Sequence, residues 1–507
     1  MRSARNWCRC LLALGLGYGV AAMGQTDVAL YGLPDSHLTV TLRTLSETGR
    51  ISAVTALTTD FDRAEPFENL PAGAATVPAL TNRDAFTQPS GNLSFDRGLD
   101  FALGDALFDK IWVSSPASTL ASDGLGPLYN ARSCDNCHVN DGRGQPPATP
   151  VDNAISLVLR LSVAPDHAAI NHWISTLPDP VYGTQLQEFA TSGLAAEYRL
   201  NLTYTEQIIA LAGGQIARLR TPIYAVADLG YGPLDPNVMF SPRIAPQMIG
   251  LGLLDAIPAA DILALADPDD ANGDGISGRP SIVWSVQYDQ PMLGRFGHKA
   301  GMPTLAEQVS AAFNTDIGIS TPLFGAAAGD CTPTQTGCLA APMGDGDVRG
   351  TEIDAIGLDL VTHYARNLAV PARRNVDDPV VLHGKQIFYD TGCVACHRPK
   401  FVTARLPDQP EQSFQLIWPY SDMLLHDMGP GLADQQPGNA EWRTAPLWGV
   451  GLTAQVSGSQ SFLHDGRART LLEAVLWHGG EAQAQRDDVT RLPPDDRAAL
   501  IVYLESL

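Results

Sequence analysis

Apolar residues recur at helical spacing in two stretches of the chain. Over Thr351 to Leu368, the residues Ile353, Ile356, Leu360, Tyr364 and Leu368 fall on or near one face. Over Pro494 to Leu507 the same holds for Leu500, Tyr503, Leu504 and Leu507. This periodicity predicts an amphipathic helix in each. Further helical stretches are expected near Thr205 to Ala217 and Pro258 to Ala266. The expected fold class is therefore mainly α, with long loops and little β. One apolar run, Leu11 to Ala22, follows Arg2, Arg5 and Arg9 and precedes Ala22-Met23-Gly24, which has small-x-small cleavage spacing. A membrane span needs ~20 apolar residues, so 1–24 is read as a secretory signal. The best later stretch, Met248 to Ala266, is broken by Asp255, Pro258 and Asp261. An exported, periplasmic protein without a membrane span is the simplest reading.

The length of 507 residues suggests two to four domains at ~100–200 residues each. With 45% hydrophobic and 17% charged residues, the chain is too apolar to be disordered. The net charge of −22 becomes −25 once the three signal arginines are removed. So acidic a chain repels nucleic acid and anionic lipid, and leaves a basic protein partner open.

Beyond the signal there are six cysteines, and four of them form two copies of one pattern: Cys134-Asp135-Asn136-Cys137-His138 and Cys393-Val394-Ala395-Cys396-His397. C-x-x-C-H is the attachment signal for c-type haem. Two thiols three apart lie on one turn and can each form a thioether to a haem vinyl group. The next residue, His, is then aimed at the iron. A zinc ribbon needs its Cys pairs ~15–20 residues apart, whereas Cys137 and Cys393 are 256 apart. A thioredoxin-like site has one C-x-x-C and no fixed His. Two covalently bound haems are thus expected, on Cys134, Cys137 and His138 and on Cys393, Cys396 and His397. The remaining pair, Cys331 and Cys338, reads as a disulfide stapling a short loop.

An internal repeat surrounds the two motifs. Gly104-Asp105-Ala106-Leu107-Phe108 precedes the first, and Gly384-Lys385-Gln386-Ile387-Phe388 precedes the second. Each unit closes with one of the periodic helices, an arrangement that resembles small cytochrome c domains. The expected organisation is a signal at 1–24, an extension at 25–94 with no chemistry to name, and two cytochrome c-like haem domains at 95–370 and 371–507. Cys134 to Tyr364 spans 230 residues against 110 from Cys393 to Tyr503, so the first domain holds a large insertion.

From about Phe95 onward the chain resembles the di-haem oxidoreductase branch of the di-haem cytochrome c peroxidase superfamily. The resemblance lies in the two haem motifs and their order, in Phe462-Leu463-His464-Asp465-Gly466-Arg467 running on to Trp477-His478-Gly479-Gly480, and in Trp442-Arg443-Thr444-Ala445-Pro446-Leu447-Trp448-Gly449. Shorter matching pieces are Gly124-Leu125-Gly126-Pro127, Asp141-Gly142-Arg143-Gly144 and His426-Asp427-Met428-Gly429. It implies an electron-transfer haem in the C-terminal half, with His478 as its sixth ligand where typical bacterial peroxidases have Met. It implies a reactive haem in the N-terminal half. The distal face of that haem would come from Arg295-Phe296-Gly297-His298-Lys299-Ala300 and the following Thr304 to Gln308. His298, Gln308 and Asp316 are the candidate catalytic residues, against the alternative that all three line a loop. An inter-haem Trp from this segment is absent.

The resemblance implies peroxide, or another small oxidant, reduced at the N-terminal iron with electrons from a small redox protein. A non-enzymatic electron carrier and an oxygen-activating oxygenase are the competing readings. Separately, Asp270, Asn272 and Asp274 occupy positions one, three and five of an EF-type loop, with Gly275 at six and Ser281 where the bidentate Glu belongs. This motif reads either as a calcium site or as a plain Asx-rich turn.

Overall fold

The computed structural model describes residues 32–150, 152–163, 177–344, 350–434 and 440–507. The helices that frame the site are α1 (Phe95–Phe108), α2 (Leu305–Ala312), α3 (Ala355–Asn367), α4 (Pro379–Asp390), α5 (Leu471–Leu476) and α6 (Pro494–Ser506). Asp354 caps α3 by accepting from Gly357 N, and Asp378 caps α4 with Pro379 in its first turn. Helix α1 crosses α3, and α4 crosses α6. Both crossings are made at a glycine. A Cβ on Gly104 would lie 2.2 Å from Leu360 O, and one on Gly384 would lie 2.1 Å from Ala499 O. Four residues on, Phe108 packs on Tyr364 at 5.2 Å and Phe388 on Tyr503 at 5.3 Å between ring centres. The Gly-x-x-x-Phe repeat is therefore a packing device: the glycine brings the backbones together and the ring fills the angle between them.

The expectation of a mainly α chain is overturned. Helix accounts for 30% of residues and strand for 18%, in several small sheets. The difference lies in the segment between the two motifs. There β1 (Leu157–Val163) pairs antiparallel with β2 (Gln185–Leu186) and with β5 (Val238–Ile244). Strands β3 (Arg199–Leu211) and β4 (Gln215–Ala227) form a hairpin of thirteen-residue arms. Thr205 to Ala217, expected as helix, lies inside this hairpin. Thr203, Tyr204, Thr205, Ile208 and Ile209 are β-branched or aromatic and favour the extended backbone. Gly213 (φ 75°) and Gly214 (φ 72°) then reverse the chain in a conformation other residues rarely adopt. Pro258 to Ala266 does hold a short helix, Ala259–Leu263.

The two halves share their cores. Leu211, Ala217 and Leu219 of the hairpin are buried in the C-terminal core with Trp418, Tyr420 and Tyr503. A second core joins Phe86, Ile249 and Leu253 to Ile417, Trp448 and Leu452. Each half contributes side chains to the other's interior.

The N-terminal segment is also structural. Lys385, fully buried on α4, bonds Glu65 at 3.0 Å and Glu68 at 2.8 Å, while Arg373 pairs with Glu68 and Lys400 with Glu65. Removing one partner from a buried ion network leaves an uncompensated charge, which costs about 3–5 kcal/mol. Glu68→Gln is expected to lose stability of that order by denaturant unfolding. The Arg373 and Lys385 cations hold the Glu68 carboxyl below its ordinary value of 4.5 against the opposing effect of burial. Its contribution is thus fully present above pH 4.5 and drains away as pH falls through the lower folded value. In the variant this acid-labile part should vanish. Cys331 and Cys338 are joined, as expected. Because the loop is short, Cys331→Ser with Cys338→Ser should cost only about 2 kcal/mol, measured the same way.

Candidate functional site

The two Cys-x-x-Cys-His segments adopt one local form. His138 N and Cys137 N both bond Cys134 O at 3.0 Å, and Cys134 N bonds Phe108 O at 3.2 Å, tying the turn to the end of α1. In the second copy, Gly392 (φ 78°) turns the chain after α4, and His397 N bonds Cys393 O at 2.9 Å. All four thiols are unbridged. Burial pushes Cys134 up to about 12 and Cys393 up to about 11, and raises Cys137 and Cys396 as well. Among the described residues no group of three or more His, Cys, Asp or Glu is placed to hold a metal ion.

Each motif His is oriented by a backbone carbonyl. His138 Nδ1 donates to Pro246 O at 2.7 Å, and His397 Nδ1 donates to Tyr420 O at 2.9 Å. Burial lowers both, His397 to about 4, so both rings are neutral with Nε2 bearing the lone pair. Phe108 and Phe388 lie against the respective imidazoles at 6.2 and 6.3 Å between ring centres.

Beyond this point the two sites differ. The His478 ring stands 6.4 Å from that of His397, and its own Nδ1 donates to Ala474 O at 2.8 Å. Two metal–nitrogen bonds of ~2 Å and ~1 Å from each nitrogen to its ring centre put two imidazoles on one iron about 6 Å apart. The observed spacing fits a haem iron between them. Cys393, His397 and His478 are each half-buried, as are Cys134 and His138. Among the described residues no second imidazole stands across from His138 as His478 stands across from His397.

His478 follows α5, which Thr470 caps through Glu473 N. The turn before α5 is clamped. Asp465 bonds Arg467 at 2.8 Å and accepts from the Tyr224 hydroxyl at 2.9 Å, while Arg220 donates to Gly466 O and Arg467 O. His464 is stacked flat on Trp442, 3.7 Å between ring centres. It orders this turn, away from His397.

The three candidates for the N-terminal side are not gathered at one point. His298 Nε2 donates to Ile244 O at 2.8 Å, two residues from the carbonyl that holds His138, and its ring faces Trp442 at 6.5 Å. Gln308, on α2, is its neighbour: Gln308 Oε1 lies 3.7 Å from where a Cβ on Gly297 would be. Asp316 sits instead in a π-helical turn, Phe313–Ile317. Its carboxylate accepts from Gln185 Nε2 at 2.7 Å, and its carbonyl accepts from Asn130 N and Ala131 N. From there its charge acts on Cys134, Cys137 and His138. Asp270, Asn272 and Asp274 are occupied by their own loop. Asp270 accepts from Gly275 N, Asn272 from Asp274 N, and Asp274 from Ile276 N. The Asx-rich turn accounts for them.

Two features went unread in the sequence. One is His426, which bonds Asp422 and Glu481 at 2.8 Å each and lies 3.5 Å from Cys396 Sγ. Those two carboxylates outweigh burial and push it up to about 12. The other is Trp442, which sits between His464 and the Lys299 ammonium at the junction of the halves. The motif pieces containing them were visible, but nothing in their spacing showed these contacts.

The sequence model of the family described as "di-haem oxidoreductase, putative peroxidase" matches residues 71–507, beginning upstream of Phe95. No curated protein matches significantly. Among solved structures, hydrazine synthase of Kuenenia stuttgartiensis pressurised with xenon is similar at 13% identity, over 92% of this chain and 100% of that one. Its TM-score is 0.34, too low to carry an argument.

Proposed function

The chain belongs to the di-haem oxidoreductase family, and on that premise we propose that it is an exported peroxidase with two unequal, covalently attached haems. The carrying observation is the asymmetry above: His478 stands across from His397, and among the described residues no imidazole stands likewise across from His138. The haem iron, when bound, supplies the redox chemistry. Cys134 and Cys137, and Cys393 and Cys396, would hold the haems through thioether links. His397 and His478 would both hold the C-terminal haem, which would then serve electron passage, and His138 would hold the N-terminal haem, which would supply the chemistry on a small oxidant.

There His298 is the acid–base residue. Its Nε2–H is committed to Ile244 O, so a proton from the near oxygen of peroxide is taken at Nδ1 and delivered to the far oxygen. Gln308 beside it orients the oxidant through its carboxamide. Asp316 keeps the field around Cys134 and His138 negative. The electrons come from a small redox protein, and the net charge of −22 favours a basic one. Among the described residues no helix is long and apolar enough to cross a membrane. The signal at 1–24, on which export to the periplasm rests, lies outside the described residues.

The test uses holoprotein made in a host that matures c-type cytochromes. A high-spin ferric signal in paramagnetic resonance, together with peroxide-dependent oxidation of a reduced cytochrome, is expected. Two low-spin irons in every redox state and no turnover would make the chain an electron carrier.

A further inference from the structure

His426-Asp427-Met428-Gly429 and Trp477-His478-Gly479-Gly480 are far apart in the sequence, and of the two only His478 has a role in the centre proposed above. In the fold these segments lie backbone to backbone. A Cβ on Gly480 (φ 53°) would stand 2.2 Å from Asp427 O, and one on Gly429 (φ 74°) would stand 2.6 Å from Gly480 N. Glycine is required at both positions by the turn and by the closeness of the other chain.

The His426 side chain joins the supports of the two ligand rings. Its Nε2 donates to Asp422 at 2.8 Å, and its Nδ1 donates to Glu481 at 2.8 Å. Carboxylates only accept, so both ring nitrogens are spent as donors. Asp422 belongs to the segment that holds His397. Its amide bonds Cys396 O at 3.0 Å, Ser421 N bonds Arg398 O at 2.9 Å, and Tyr420 O accepts from His397 Nδ1 at 2.9 Å. Glu481 lies three residues past His478. It is held in turn by the amide and hydroxyl of Ser277 and by Asp427 N at 3.3 Å. The imidazole between these carboxylates is buried, and its Nδ1 lies 3.5 Å from Cys396 Sγ. One rigid ring thus spans from the support of His397 to the chain that leaves His478.

We propose that His426 is a positioning residue for the C-terminal centre: it ties the segment that orients His397 to the segment that carries His478, and so sets the separation of the two ligand rings. This role rests on the di-haem reading given above.

The experiment compares matured wild type with His426→Gln, Glu481→Ala and the control Glu411→Gln, after haem is counted per chain. The control breaks an ion pair with Arg97 that involves none of these groups. Wild type without covalent haem would defeat the di-haem reading, and the positioning role with it. With two haems present the reading stands, and the variants decide the role alone. Glutamine at 426 keeps a polar group but cannot give each carboxylate its own ring nitrogen, so the tie is cut. The low-spin ferric signal of the C-terminal centre is then expected to shift its g values, which report how the two ligand planes are set. Carbon monoxide is expected to bind the reduced C-terminal iron, which His478 would otherwise occupy. Glu481→Ala cuts the tie at its other end and should give the same two changes. The N-terminal signal should stay at its wild-type position in both variants, and Glu411→Gln should match wild type throughout. That pattern supports the role. Wild-type g values and no added carbon monoxide binding in haem-loaded His426→Gln reduce the cluster to fold stability and overturn it. Equal changes at both centres, or the same changes in Glu411→Gln, overturn it too. If His426→Gln does not load haem, Glu481→Ala decides by the same readings. Its failure to load as well assigns the cluster to packing and overturns the proposal.

Discussion

Replacing His298 with alanine is expected to lower kcat/KM for peroxide by about 10²–10⁴-fold, the usual contribution of a positioned acid–base group, with two haems per chain retained. Burial holds the His298 ring well below its ordinary value of 6.5. The imidazole is therefore neutral at pH 7 and can accept a proton without first losing one. Ile244 O fixes the tautomer, since a carbonyl accepts only from an N–H. Activity should stay level above pH 6.5 and fall at lower pH as the base is protonated, because its folded value lies below 6.5. Steady-state rates across pH, normalised to haem content, check both statements. A variant with wild-type rates would reduce His298 to a packing residue.

What was readable in the sequence follows from how local its cause is. The shared local form of Cys134 to His138 and Cys393 to His397 was readable because each pattern lies on a single turn. The helices Ala355–Asn367 and Pro494–Ser506 were readable from apolar period, close to their observed bounds. Gly104 and Gly384 stood out as a repeat, but their reason, a helix crossing too close for a Cβ, appears only in three dimensions. His478 came through the family resemblance, and its ring does stand across from His397.

The misses have a common origin in long-range partners. The hairpin Arg199–Ala227 was misread because apolar residues within it also satisfy a helical spacing. Its real constraint is the C-terminal core, which takes Leu211, Ala217 and Leu219 from it. The carbonyls of Pro246 and Tyr420, which orient both motif histidines, carry no side-chain signature at all. Residues 32–94 showed no chemistry because their work is structural: Phe86 joins the second core. Glu65 and Glu68 look like any surface acids until Lys385, Lys400 and Arg373 are seen against them. The clamp by Tyr224 and Arg220 on the turn before His478 adds a functional reason for the hairpin. A segment inserted in one half braces the turn that precedes His478 in the other.

Substituting His478 with methionine is expected to raise the midpoint potential of the C-terminal centre by on the order of 0.1–0.2 V, within the ~0.8 V that axial ligands span. Two features of this chain favour a low potential in the native protein. First, His397 and His478 stand where both would bind one iron, and two nitrogen ligands would stabilise the ferric state relative to a thioether. The Nδ1 bond to Ala474 O makes the His478 ring more basic and strengthens that preference. Methionine suits the site sterically because its unbranched side chain adapts to irregular space. The variant should therefore remain low-spin, with a sulfur-to-iron charge-transfer band that the wild type lacks. Spectroelectrochemistry reads the shift, and the N-terminal midpoint serves as an internal reference. A raised C-terminal potential weakens the driving force for passing electrons onward, so turnover should fall even though the peroxide site is untouched. Were the spectrum and both potentials to stay at wild-type values, His478 would not be an iron ligand. The asymmetry on which the assignment of the two centres rests would then be gone.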